Sequence, residues 1–175
     1  MLYERPEFIM IKKVASTLLI AMLAVAAQAD LFVFRSNLTT GQEVQNPAVT
    51  TAAFGLGRLK VYTDTNGLVY YEGYLESRKL SAAPTGFHIH RAAAGSNGPV
   101  VVDFLSQFTQ IVDLGNGNRN IYFRGRITDR TVGGVLVTRF QILDAMRAGN
   151  AYLNVHNSVF PGGETRGQLA EVIVP

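Results

Sequence analysis

Over residues 50–76 the side chains alternate with a period of two, and Asp64-Thr65-Asn66-Gly67 interrupts that run once. Ala53, Gly55, Gly57 and Leu59 share one face before the interruption, and Val69, Tyr71, Gly73 and Leu75 share one face after it. A period of two suits a pleated strand with one buried face, and no amphipathic helix can carry it. Asn-Gly between two such runs marks a tight hairpin, because both residues tolerate positive φ. The pattern recurs at 31–35, 86–90, 100–104, 121–128, 152–156 and 165–174. Segments 37–47, 81–85, 91–99 and 107–120 read as connections, the last with a Gly115-Asn116-Gly117-Asn118 turn. One stretch departs from alternation. Phe140, Ile142, Leu143, Met146 and Arg147 fall at helical spacing, and Gly149-Asn150 follows as a helix stop. The expectation is an all-β chain of about eight strands, an antiparallel Greek-key β-sandwich or partly closed barrel, with one short helix before the His156 strand.

Residues 1–29 have the layout of a signal peptide. Lys12 and Lys13 precede an apolar run over 14–26, and Ala27-Gln28-Ala29 forms a small-residue cleavage site. Cleavage after Ala29 and a periplasmic or secreted destination are expected, with translation starting at Met1 or at Met10. The apolar run is shorter than a membrane span needs, so no span is expected once it is removed. Residues 30–175 then form one domain, large enough for a proper core. The leader holds three of the basic and two of the acidic residues, so the net charge of +3 becomes +2. The charges are scattered, with no basic run for nucleic acid. Cysteine is absent, which excludes disulfides, thiolate chemistry and iron–sulfur clusters.

The chain has three histidines, and all lie on two predicted strands, Gly86-Phe87-His88-Ile89-His90 and Tyr152-Leu153-Asn154-Val155-His156. Strand parity puts His88 and His90 on one face and Phe87 and Ile89 on the other. It likewise groups Tyr152, Asn154 and His156 against Leu153 and Val155. With the apolar set in a core, all three imidazoles lie on the outer face of the sheet. An all-imidazole set suits copper first, by the Irving–Williams order, and zinc second; calcium and magnesium prefer oxygen. Around it, Glu164 is placed to accept a ring N–H, Arg166 to attract an anion or pair with an acid, and Asn154 to orient a loop or water. Tyr152 caps or packs, and Asp103 braces a turn. No nucleophile elbow, P-loop or dinucleotide fingerprint is present, so no catalytic residue is assigned.

Several motifs together resemble the CHRD family, the domain of chordin and of many exported bacterial proteins. They are Gly41-Gln42-Glu43-Val44, His88-Ile89-His90, Asn97-Gly98-Pro99-Val100-Val101-Val102-Asp103, Ala148-Gly149-Asn150 and Pro161-Gly162-Gly163-Glu164-Thr165-Arg166-Gly167-Gln168-Leu169. The resemblance covers residues 31–174, with Arg91 where the family usually has glycine. It implies the fold but little about function, since the growth-factor binding of chordin has no counterpart in an exported protein of this bacterial kind. The histidine strands also resemble the copper strands of copper/zinc superoxide dismutases. That likeness implies His88, His90 and His156 as copper ligands, with Arg166 facing the open coordination position. A bridging histidine, a zinc set and a cysteine pair are all missing, which argues against dismutase activity. The expected function is extracytoplasmic copper binding, for handling the metal or for one-electron chemistry. The alternative is a metal-free module that holds an extracytoplasmic protein or a polymer through loops 91–99 and 157–163. Loss of function on His88→Ala points to the first, and sensitivity to loop changes points to the second.

Overall fold

The structure, a computed structural model, describes residues 30–173; the expected signal peptide lies outside them. The first strand, β1 (Leu31–Thr39), buries Phe34, Ser36 and Leu38 and turns Arg35 and Asn37 outward. It runs four residues past the expected end, because the alternation continues through polar Ser36 and Asn37. Strands β2 (Phe54–Thr63) and β3 (Val69–Arg78) form the hairpin announced by Asn66-Gly67, with Gly67 at φ +73°. Strand β4 (Pro84–His90) carries two histidines, and β5 (Val100–Asp103) lies beside it at one edge of the sheet.

Residues 107–120 are not a plain connection. They hold β6 (Phe108–Gly115), which returns through Asn116-Gly117 into β7 (Asn118–Ile127). This strand escapes a period-two reading because it is the opposite edge of the sheet, with six of eight residues exposed and no continuous buried face. A small ribbon of β8 (Arg130–Val132) and β9 (Val135–Val137) follows, and it too was not expected. The helix α1 (Arg139–Arg147) starts at a reciprocal capping box between Thr138 and Gln141 and stops at Gly149, φ +71°. It buries Ile142, Leu143, Ala145 and Met146, whereas Phe140 is exposed beneath the Arg139 guanidinium. The chain ends in β10 (Tyr152–Asn157), β11 (Thr165–Gln168) and β12 (Ala170–Glu171). The described residues thus hold twelve strands where about eight were expected.

Ten of them form one antiparallel sheet in the order β5-β4-β10-β11-β1-β2-β3-β7-β6, with β12 beside β1. That sheet curls over on itself. Phe87 on β4 and Phe104 after β5 pack against Phe123 on β7, with Phe104 and Phe123 centroids 4.2 Å apart, although five strands lie between β4 and β7 in the sheet. Tyr71 closes the cluster edge-on to Phe104. The curl demands close approach at Gly73, where a Cβ would lie 2.3 Å from the Phe123 ring and 2.9 Å from the Arg58 carbonyl oxygen. Gly73→Ala is therefore expected to lower unfolding free energy by about 2 kcal/mol, through overpacking between β3 and β7, and a urea titration measures it. No helix among the described residues is long and apolar enough to cross a membrane.

Candidate metal centre

The site grows out of the pairing of β4 with β10. Leu153 lies opposite Ile89 and Val155 opposite Phe87, all four in the core. On the other face Tyr152 lies opposite His90, Asn154 opposite His88, and His156 opposite Gly86. Gly86 leaves room for the rings, since a Cβ there would sit 2.9 Å from His88 Cε1. Parity set the faces, and register brings the rings to one point. Ring centroids are 4.9 Å apart for His88 and His156, 5.6 Å for His90 and His156, and 5.7 Å for His88 and His90. One nitrogen from each ring lies within 4.8 Å of the other two. A point central to such a triangle is at most about 2.8 Å from each nitrogen, against about 2.0–2.1 Å for a formed metal–imidazole bond. Ring movements of under about 1 Å close that gap. The three histidines could hold a metal ion.

The hydrogen bonds decide which nitrogens face inward. His90 Nδ1 is 2.9 Å from the Gly98 carbonyl oxygen and His156 Nδ1 is 3.0 Å from the Pro161 carbonyl oxygen. A carbonyl only accepts, so each Nδ1 carries the hydrogen and each Nε2 keeps a lone pair. Both Nε2 atoms are buried without a partner, and so is His88 Nδ1. On its other side His88 Nε2 is 3.7 Å from Asp103 Oδ1, an oxygen that accepts from Leu105 N–H. Burial holds all three imidazoles below the usual histidine range, and the neighbouring His156 adds to the effect at His88, which falls to about 4. Near neutral pH the rings are therefore uncharged, the form that binds metal.

The residues expected around the rings are placed differently from one another. The Glu164 carboxylate is fully buried and accepts from Thr51 Oγ1 (2.9 Å), Ser81 N (3.1 Å), Ser81 Oγ (2.6 Å) and Asn157 Nδ2. None of its bonds goes to a histidine, and the ring N–H groups of His90 and His156 are taken by backbone carbonyls. Arg166 is fully buried. Its guanidinium lies 3.5 Å over the Tyr152 ring, which in turn stacks on His90 with centroids 4.9 Å apart and planes 9° apart. It also donates to Ala93 O and Asn97 Oδ1, so it braces the loop that carries Gly98. Asn154 is buried beside Glu43, whose carboxyl rises to about 7 because burial outweighs Arg166, Asn154 and Gln45.

Gly98 and Pro161 act through main-chain oxygens, which leave no side-chain signal; only Glu43, in a turn-rich segment, was there to be found. Both carbonyls belong to the loops 91–99 and 157–163. A metal site here is thus sensitive to loop changes, contrary to the expected discriminator, and only the histidine substitutions separate the two functional readings.

No curated protein and no solved structure matches the chain, and the likeness to copper/zinc superoxide dismutases is not borne out. The family model described as the CHRD domain matches residues 34–169, from β1 to the residue after β11, and takes in every residue of the histidine site. By that match and by the motifs spread along it, the chain belongs to the CHRD domain family.

Proposed function

We propose that this protein binds one transition-metal ion outside the cytoplasm, copper in preference to zinc, through His88, His90 and His156. The observation that carries the reading is the set of three buried, unpartnered ring nitrogens turned toward one another. A buried acceptor without a partner costs about 1–3 kcal/mol, so three in one place call for a shared donor or an ion. Carbonyl acceptors on the far nitrogens of His90 and His156 are what metal-bound imidazoles commonly have. Copper is preferred because neutral imidazoles without carboxylate or thiolate follow the Irving–Williams order. Export rests on the leader-like residues 1–29. The role is copper handling or one-electron chemistry; no residue is assigned to catalysis.

The test is metal content and Cu(II) electron paramagnetic resonance of the purified protein, beside a His88→Ala/His90→Ala variant. The expected result is near one copper per chain with nitrogen hyperfine structure, lost in the variant. Copper-free protein after deliberate loading, with both forms folded, overturns the reading. Tighter zinc than copper binding in competition would keep the site and change the metal.

A further inference from the structure

The outer face of β1-β2-β3-β7-β6 has its own composition, and the histidine site uses none of it. Register aligns Arg35, Arg58, Tyr74 and Tyr122 across four strands. The next row aligns Lys60, Glu72, Arg124 and Phe108, and a third aligns Tyr62, Tyr70 and Arg126. Two grooves run over these rows, of about 410 Å³ and 490 Å³, and they share Glu72, Phe108 and Arg124, so they form one elongated trough. Its lining holds five cations, Arg35, Arg58, Lys60, Arg124 and Arg126, against the single carboxylate of Glu72. Glu72 is already paired with Lys60 at 3.2 Å. Among the described residues the four arginines make no ion pair. Arg35 and Arg58 moreover lie directly opposite each other, a like-charge arrangement that destabilises a sheet unless an anion joins it.

The aromatic rings show which anion. Tyr62 and Tyr70 stack on each other at 5.3 Å, and Tyr74 and Tyr122 pack together at 5.0 Å. Arg124 covers Phe108 at 4.6 Å and Arg126 lies over Tyr70 at 5.6 Å. Ring faces that nucleic-acid bases would need for stacking are therefore largely occupied. The four arginines are exposed, and guanidinium groups match carboxylates in bidentate fashion. The phenols of Tyr62 and Tyr122 are exposed too and suit sugar hydroxyls, whereas the Tyr74 hydroxyl already donates to Glu76. We infer that this trough binds a linear polysaccharide bearing carboxylate groups, its acid groups on Arg58 and Arg124 at the centre and on Arg35 and Arg126 toward the ends.

Polygalacturonate is the probe, with neutral dextran, polyglutamate and oligothymidylate beside it, in affinity electrophoresis and calorimetry at low ionic strength. The purified protein is expected to bind polygalacturonate and not dextran, and to release it as salt screens the contacts. Arg58→Gln/Arg124→Gln is expected to weaken binding by about tenfold or more, and Arg35→Gln/Arg126→Gln, a second exposed pair, by a similar factor. His88→Ala/His90→Ala is expected to leave it unchanged, so this result is independent of the metal reading. No polygalacturonate binding, or binding that neither arginine pair affects, overturns the inference. Equal or tighter binding of polyglutamate or oligothymidylate does so too, by showing a surface for polyanions in general or for nucleic acid.

Discussion

Glu164→Ala is expected to lower the unfolding free energy by about 3 kcal/mol, read from urea or thermal unfolding at neutral pH. The side chain is fully buried, and its two oxygens gather donors from three distant segments: Thr51, Ser81 and, on β10, Asn157. Truncation leaves the Asn157 amide without its acceptor in a fully buried position, while Ser81, at the surface, can turn to water. Glu164→Gln is expected to fall between the two, since it keeps one acceptor oxygen and sets a new donor against existing ones. A loss below about 1 kcal/mol for the alanine variant would mean that water replaces the carboxylate. Asn157 follows His156 directly, so the same change is expected to loosen the ring and weaken metal binding as a secondary effect.

The second large effect is expected in the metal-free protein as the pH falls. His88 drops to about 4 when folded, from an ordinary value of 6.5, chiefly because its ring is buried. Between those values the unfolded chain holds the proton and the folded chain does not, so stability rises with pH. The contribution is fully present above about 6.5 and is lost as the pH falls to about 4; for His88 alone it approaches about 3 kcal/mol. His90 and His156 act in the same direction. Glu43 acts in the opposite one. Its folded value is raised from 4.5 to about 7, so its contribution is present below about 4.5 and is lost as the pH rises through 7. Denaturant midpoints of chelator-treated protein between pH 4 and 7.5 are expected to show a steeper rise with pH in Glu43→Gln and a flatter one in His88→Asn. Identical slopes in the wild type and both variants would contradict the burial that sets these shifts. Stabilisation by bound metal is expected to fade as the pH falls toward 4, where protons begin to compete for the same nitrogens in the folded chain.

Each element that could be read correctly from the chain was local. The Asn66-Gly67 hairpin needs only two adjacent strands and a turn that accepts positive φ. The helix needed only its own spacing and Gly149, although Phe140 fell outside the buried face. The edge strand β6 was missed because an edge has few buried positions, so Phe108, Ile111 and Leu114 are exposed and leave no period-two stripe. Likewise the β8-β9 ribbon stands apart from the main sheet and has one buried residue, Val137.

At the candidate metal centre the division is sharper. Parity alone put His88, His90 and His156 on the outer face, because Phe87, Ile89, Leu153 and Val155 had to enter the core. Whether the rings meet depended on a register between strands more than 60 residues apart, which only the packing of the whole sheet decides. The hydrogen-bond and ring contacts of Glu164 and Arg166 likewise depend on tertiary packing. Glu164 ties loops together, and Arg166 lies over the Tyr152 ring. The sequence by itself thus determined the strand alternation, the face on which each histidine stands and the family. The tertiary structure decided the curl of the sheet, the meeting point of the rings and the carbonyls that orient them, since each of these joins residues far apart in the chain.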